Sequence, residues 1–306
     1  MRIAVAGTSA VAIPALEALS KSSHQLARVF TTGDRAVGRG RNMVQSDVAT
    51  WSESHGLELI KVDTATEMRE YLSDVDCVLV IAFGILLPQE ILDIPRHGFI
   101  NLHFSLLPQW RGAAPVQRAI ENGDTDLGIT VFALDAGMDT GPIYISAKFA
   151  RDINMRSGQA LDFLAVEGAP LLLKVLTDIE SGVRPTPQSE TGASRAFKLS
   201  KDEAIIDWNS SSQRIHQKVC AFYPNPVART IFRSSQLKVT ETSLTSDRDV
   251  EVAVTPGSLV VEKNHLYVGT ADGLLELVTV VPEGKSEMKA ADWARGVRAA
   301  DGELCG

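Results

Sequence analysis

The chain is poor in cysteine and has no long apolar run. Its three cysteines, Cys77, Cys220 and Cys305, stand far apart. Their odd number and scatter fit neither a disulfide framework nor a zinc site. The composition is that of a protein with reduced thiols, which points to the cytoplasm. No hydrophobic stretch approaches the roughly 20 residues of a membrane span, so no membrane association is expected. The first residues, MRIAVAG, form a strand at once, with no charged region ahead of a long apolar segment, and a secretory signal is not expected.

Several motifs are also missing. A single glycine, Gly7, follows the first strand where a dinucleotide fingerprint places three, which disfavours NAD. There is no P-loop: the one Gly-Lys-Ser, residues 284–286, has Thr279 where the first glycine belongs. His-Glu-x-x-His is absent, and no other metal ligand set is expected. Gly-x-Ser-x-Gly is absent too; Ser105 is flanked by Phe104 and Leu106.

What the chain has is length and apolar content. Its 306 residues, 44% of them hydrophobic, are enough for two ordinary domains with buried cores. Residues 2–6 read as a strand, 12–20 as a helix and 25–31 as a second strand. That order predicts an α/β fold with a doubly wound, mostly parallel sheet. Helices are expected over 43–55 and 65–72, and a buried strand over 76–81. The next segment, Phe83 to Pro88, follows that strand directly and is either a ligand loop at the carboxyl end of a central strand or a plain core turn. Further strands are expected over 99–102, 129–134 and 143–149. A long helix follows over 157–181, with Gly168 and Pro170 as kink positions. The proline-rich, polar residues 183–192 read as linker.

Beyond them a helix is expected over 210–222. Five short β-type runs follow, separated by turn signals, and predict a small barrel. A last helix spans 287–300, and residues 300–306 look frayed. The resulting division is 1–190 for a first domain, 191–208 for a linker and 209–306 for a second domain.

Chemistry concentrates in residues 99–143. Asn101 and His103 end a strand two positions apart, and residues i and i+2 of a strand share a face. The later loop DAGMDTG can return Asp139 to that pair. Each residue has a plain structural alternative: a buried cap, a core histidine, an Asx-turn former. Together they suit direct acyl transfer to an amine, with neither a metal nor a covalent enzyme intermediate. A neutral amide donates to the oxyanion, an imidazole takes the amine's proton or adds a donor, and a carboxylate fixes the imidazole tautomer. Whether His103 or Asp139 finally takes the proton stays open.

Charge is uneven. The net charge of −8 argues mildly against nucleic acid, yet residues 208–240 contain no acid and carry Arg214, Lys218, Arg229, Arg233 and Lys238 among Phe222, Tyr223 and Phe232. That run is either a solvated face or a nucleic-acid contact. Residues 31–42, TTGDRAVGRGRN, are expected to form a mobile surface loop without regular structure, carrying Arg35, Arg39 and Arg41.

INLH, SLLP, RGAAPVQRAIENGD and LDAGMDTG, with GDRAVGRG, KLSKDEAIIDW and FYPNPVA in order along the chain, resemble the formyltransferase family that uses 10-formyltetrahydrofolate. The resemblance covers most of the chain. It implies a Rossmann-like catalytic domain followed by an OB-like barrel that binds tRNA. Asn101, His103 and Asp139 fall on the family's catalytic Asn, His and Asp. Ser105, Leu106, Leu107 and Pro108 fall on its folate-contacting segment, with Phe83, Gly84, Leu87 and Asp135 expected to join that pocket. The implied donor is 10-formyltetrahydrofolate, and the implied acceptor is the amino group of methionine on initiator tRNA. Arg35, Arg39 and Arg41 lie on a loop resembling the one that wraps the acceptor end. Arg214, Lys218, Arg229 and Arg233 are expected to contact tRNA from the barrel. A monomer is expected, with no protein partner implied. The chain departs from the family pattern at Phe104, often Gly or Pro, at Thr8-Ser9, often Thr-Pro, and at Asn225, often Trp.

Overall fold

The computed structural model describes residues 1–37, 42–244 and 254–306. The chain divides into two compact units, each assembled from more than one segment. The first comprises Met1–Gly112, Leu127–Phe149 and Leu161–Arg195; the second comprises Ala113–Asp126, Ala150–Ala160 and Ala196–Gly306.

The strands up to residue 150 are β1 (Arg2–Gly7), β2 (Gln25–Thr32), β3 (Arg35–Val37), β4 (Asn42–Val44), β5 (Leu59–Val62), β6 (Cys77–Ile81), β7 (Phe99–His103), β8 (Arg111–Gly112), β9 (Asp126–Ala133) and β10 (Ile143–Ala150). Seven of them form the central sheet, in the order β10-β9-β7-β6-β1-β2-β5. The pairs β1/β2, β2/β5, β1/β6 and β6/β7 are parallel, and β7/β9 is antiparallel. The sheet starts at β1 and winds outward both ways, as the sequence predicts. The order reverses between β1 and β6, the place where open α/β sheets bind ligands outside the carboxyl ends of their strands.

Burial follows strand position. All five residues of β6 are buried, matching its unbroken apolar run CVLVI. At the sheet edge, β10 alternates half-buried and exposed residues. One core cluster gathers Phe30, Met68, Val78, Val80, Ile91 and Phe99. Each such side chain contributes about 1.5–3 kcal/mol by leaving water.

Three local expectations are corrected. Residues 31–42 were expected to lack regular structure, but β3 and β4 pair as an antiparallel ribbon with Arg35 opposite Val44. Residues 38–41 lie outside the described residues, so Arg39 and Arg41 do too. The next helix is Asp47–Ser54, shorter than 43–55, because Ser46 caps it: its hydroxyl accepts from the Ala49 N–H at 3.0 Å. Residues Ala65–Tyr71 form a 3-10 helix. The helix Ser157–Glu180 runs on through Pro170. Its Gly168 admits Leu102, since a Cβ there would lie 2.8 Å from Leu102 Cδ2.

The second unit contains the helices Pro115–Asn122 and Ser212–Phe222 and a six-stranded antiparallel sheet. Its strands are Arg229–Phe232, Ser235–Leu244, Leu259–Val261, Leu266–Thr270, Gly273–Pro282 and Met288–Lys289, followed by the helix Ala290–Val297. The first five are the expected runs, arranged as a partial barrel; Met288–Lys289 is a short strand where the last helix was expected to begin, and that helix starts at Ala290. The terminal residues are not frayed. Cys305 bridges Phe232, Leu304 bridges Ser258, and Cys305 is 4% exposed. The Cys305 N–H donates to the Gly257 carbonyl and the Gly306 N–H to the Ile231 carbonyl. The segment therefore spans two otherwise open strand edges and satisfies their backbone groups. Its polar, glycine-containing composition hides this, because the partners are 46 to 75 residues away in sequence and only backbone atoms are used.

Candidate active site

β7 delivers Asn101 and His103 to one face of the sheet, two residues apart. His103 is buried. Its Nε2 lies 3.0 Å from the carbonyl oxygen of Trp110. A carbonyl only accepts, so Nε2 carries a proton and donates. Nδ1 is then the ring atom free to exchange a proton, and it faces Asp139 Oδ2 at 3.8 Å. Phe132 packs edge-on against the ring, with centroids 6.2 Å apart. Burial pushes the imidazole below its ordinary value, and the Asp139 carboxylate and the Trp110 carbonyl pull it back up. Near neutral pH the ring is therefore a neutral base with a carboxylate opposite its lone pair.

Asp139 reaches this position through a strained loop. Its φ is +54°, in the left-handed region, and Trp110 has φ +63°. Such conformations cost of order 1–3 kcal/mol each and persist only when the surroundings fix them. The fixing contacts are present. Asp139 Oδ2 accepts from the Gly112 N–H at 2.7 Å. Asp135 Oδ1 accepts from the Gly137 N–H at 3.0 Å and from Thr140 Oγ1 at 2.7 Å, so this carboxylate shapes the loop. Gly141 is obligatory: a Cβ there would sit 1.8 Å from the Ala133 carbonyl oxygen.

The segment read as linker also grips the site. Gln188 Nε2 donates to the carbonyls of Asp139 (2.9 Å) and Gly141 (2.7 Å). Its Oε1 accepts from Arg111 Nη2 at 2.9 Å and Nε at 3.2 Å. Arg111, 9% exposed, also pairs with Glu190. Ser194 Oγ accepts from the Trp110 N–H at 2.9 Å. Arg111 opens the RGAAP motif, but Gln188, Glu190 and Ser194 did not stand out in sequence. A polar, proline-rich run reads as connector when its partners lie 47 to 84 residues away.

Asn101 is half-buried, and among the described residues its carboxamide makes no hydrogen bond. An amide in that state is a donor without a protein acceptor. The segment after His103 is held from below. Thr130 Oγ1 donates to the Ser105 carbonyl at 2.7 Å and accepts from the Leu107 N–H at 3.1 Å. Ser105 Oγ donates to the Gln109 carbonyl at 2.7 Å, and Leu107-Pro108 is cis. Phe104 is buried and Leu106 half-buried. In the loop after β6, Phe83 and Leu87 turn into the core cluster, whereas Leu86 is 80% exposed. Ala82 and Gly84 are exposed with positive φ. What this loop presents outward is thus Leu86 and the backbone around Gly84; of the expected residues Phe83, Gly84 and Leu87, Gly84 is the exposed one.

The barrel cations divide into two kinds. Arg233 is bound: it pairs with Glu303 at 2.7 Å, donates to the carbonyls of Val297 and Arg298, and lies over Phe232. Lys218 donates to the carbonyls of Glu203 and Ile205, and burial lowers its pKa. Arg214 and Lys238 are exposed, Arg229 is half-buried, and Arg35 is exposed on its ribbon. A run free of acid in sequence is thus met by acids in space.

The three cysteines are free and buried, and burial pushes the thiols of Cys77 and Cys305 up to about 12 and that of Cys220 to about 11. Among the described residues no helix is long and apolar enough to cross a membrane.

Comparison with known proteins agrees with this geometry. Residues 1–162 match the formyl transferase family and residues 198–298 match the formyl transferase C-terminal domain. The chain belongs to the formyl transferase family. It is 41% identical over 314 residues to the methionyl-tRNA formyltransferase of Streptomyces griseus subsp. griseus, with 100% of both chains covered. Among solved structures, the methionyl-tRNA formyltransferase of Clostridium thermocellum superposes with a TM-score of 0.59 at 16% identity, covering 81% of this chain and 95% of that one. The N-formyltransferase of Helicobacter canadensis, solved with folinic acid and dTDP-3-aminofucose, gives 0.68 at 18% identity, covering 94% and 100%. At such identities the structures speak for the fold.

Proposed function

We propose that this chain is a methionyl-tRNA formyltransferase, moving a formyl group from 10-formyltetrahydrofolate to the methionine amino group of initiator tRNA. The observation that carries the chemistry is the buried His103 facing Asp139, two strand positions from an amide that has no acceptor among the described residues. Kinship over the whole chain supports the acceptor.

The donor supplies an activated formyl carbon. Asn101 Nδ2 donates to the formyl oxygen as it gains charge, a role typically contributing about 100- to 1000-fold in rate. The attacking amine must lose a proton, and His103 Nδ1 is the ring position left to take it, because Nε2 is engaged by Trp110. Asp139 stabilises the resulting imidazolium until the tetrahedral adduct collapses, when the bond between the formyl carbon and the donor nitrogen of tetrahydrofolate breaks and the proton passes from His103 to that departing nitrogen.

The pterin-bearing donor is placed against the Ser105–Pro108 segment and the outward side of the loop at Gly84 and Leu86, with Asp135 shaping the loop opposite. The apolar Leu86 suits a flat heterocycle. For tRNA, Arg35, with Arg39 and Arg41, is assigned to the acceptor end. Arg214 and Arg229 are assigned to the tRNA body, ahead of Lys218 and Arg233, whose cationic groups already bind protein. The enzyme is proposed to act in the cytoplasm as a monomer.

The test is transfer of labelled formyl from 10-formyltetrahydrofolate to charged initiator tRNA or to a nucleotide-linked amino sugar. Transfer to tRNA alone supports the reading. Transfer to the sugar amine alone replaces it with a sugar formyltransferase.

A further inference from the structure

Gln188 occupies an unusual place for a residue in a polar connecting segment. Both protons of its carboxamide are spent on carbonyls of the loop that carries Asp139, at 2.9 Å to Asp139 itself and 2.7 Å to Gly141. Its oxygen is held by the Arg111 guanidinium, which is nearly buried and braced by Glu190. All three groups of the carboxamide are therefore fixed, and the fork has one available orientation. Arg111 lies next to Trp110, whose carbonyl fixes the other side of the imidazole. Six residues past Gln188 on the same segment, Ser194 holds the Trp110 N–H and its carbonyl accepts from the Arg111 N–H. One stretch of chain thus grips both sides of His103.

We propose that Gln188 is a positioning residue, which holds the Asp139 carboxylate opposite His103 Nδ1 by tying down the two carbonyls of its left-handed loop. This rests on the reading of His103 and Asp139 as the proton-transfer pair. Without those two bonds the Asp139 and Gly141 carbonyls have no side-chain donor among the described residues, and the strained Asp139 backbone keeps only the Gly112 N–H on its carboxylate to hold it. Among the described residues Asp139 is the charged side chain acting on His103; Phe132 on β9 presents an apolar edge and Trp110 a carbonyl. Arg111 and Glu190 lie on the far side of Gln188. A retreat of Asp139 therefore removes the one opposing charge, and His103 titrates lower.

The test compares the full chain with Gln188→Met, which loses donors and acceptor, and Gln188→Glu, which keeps an acceptor for Arg111 and places a carboxylate against two carbonyls. Three quantities are measured: formyl transfer to charged initiator tRNA, the His103 titration by NMR, and the thermal melt. Both variants should lose about 10- to 100-fold in kcat, as orienting partners commonly do, with KM for donor and tRNA within about twofold. In both, the His103 titration should move downward. A purely structural role lowers the melt and leaves the titration in place. If folded Gln188→Met keeps its kcat and the His103 titration, the proposal falls. It falls equally if Gln188→Glu behaves as the unsubstituted chain, because then the link to Arg111 alone matters. Should Gln188→Met not fold, Gln188→Glu decides by the same two readouts. If the unsubstituted chain transfers no formyl, the functional reading fails, and the His103 titration alone decides for or against positioning by Gln188.

Discussion

The Trp110 carbonyl lies 3.0 Å from His103 Nε2 and fixes which ring nitrogen carries the proton. Everything on the other side of the ring follows from it. Nδ1 must accept, and the group facing Nδ1 is Asp139. A residue seven positions along the chain, held at positive φ, thereby selects the tautomer that a proton acceptor needs.

The first prediction concerns pH. Burial depresses His103 and Asp139 opposes it, with the net direction downward from 6.5. The acceptor works when neutral, so transfer is lost as pH falls through the folded pKa. The acid limb of kcat/KM should therefore lie below pH 6.5. Asp139→Asn removes a raising influence and should move the limb lower, together with a large loss of rate. An acid limb above 6.5 in the unsubstituted chain contradicts the assignment.

The same direction has a consequence for stability. His103 and His216 are both depressed by burial. Between their folded values and 6.5 the unfolded chain binds more protons, so stability falls as pH drops through this window. His216 is held by Thr242 Oγ1 at 2.8 Å. His216→Gln should flatten the dependence of melting temperature on pH below 6.5, whatever it does at neutral pH. An unchanged slope removes His216 from the account.

The barrel cations should separate in experiment. Arg214→Glu should weaken tRNA binding and reduce the salt dependence of its affinity by about one phosphate contact. Arg233→Ala should lower the melting temperature, because it breaks the Glu303 pair and two carbonyl bonds. Screening acts over roughly 8 Å at physiological salt, so the overall charge of −8 does not prevent a local contact. If Arg214→Glu leaves affinity and salt slope alone, that face is only solvated.

The terminal segment predicts a stability effect with no catalytic meaning. Cys305 is buried between two strand edges, so Cys305→Asp places an unpaired carboxyl there and should cost several kcal/mol or unfold the barrel. A melt within a degree or so of the unsubstituted chain contradicts the closure described.

How much of this was legible beforehand depends on the range of the contacts. Strand periodicity and apolar runs place β1, β6 and β7, and the i, i+2 rule puts Asn101 beside His103. The barrel strands follow from turn spacing. Long-range polar contacts are not encoded that way. Gln188 and Ser194 bond backbone carbonyls and N–H groups far along the chain, and any residue has those; Arg111 meets the Gln188 and Glu190 side chains 77 and 79 residues away. Arg233 and Lys218 look like free cations in sequence because their partners, Glu303 and the carbonyls of Glu203 and Ile205, sit outside the acid-free run or are not acids at all. Phe83 and Leu87 look like pocket walls because an apolar loop does not declare which side chains turn inward.

The central claim is that Asn101, His103 and Asp139 form one formyl-transfer site for methionyl-tRNA. The most direct measurement is single-turnover transfer of labelled formyl from 10-formyltetrahydrofolate to charged initiator tRNA, by the unsubstituted chain and by folded Asn101→Ala. The account predicts rapid N-formylmethionyl-tRNA formation by the first and a loss of about 100- to 1000-fold in the second, the usual effect of removing an oxyanion donor, with melting temperature preserved. Transfer by Asn101→Ala at close to the unsubstituted rate, or no transfer by the unsubstituted chain, would contradict it.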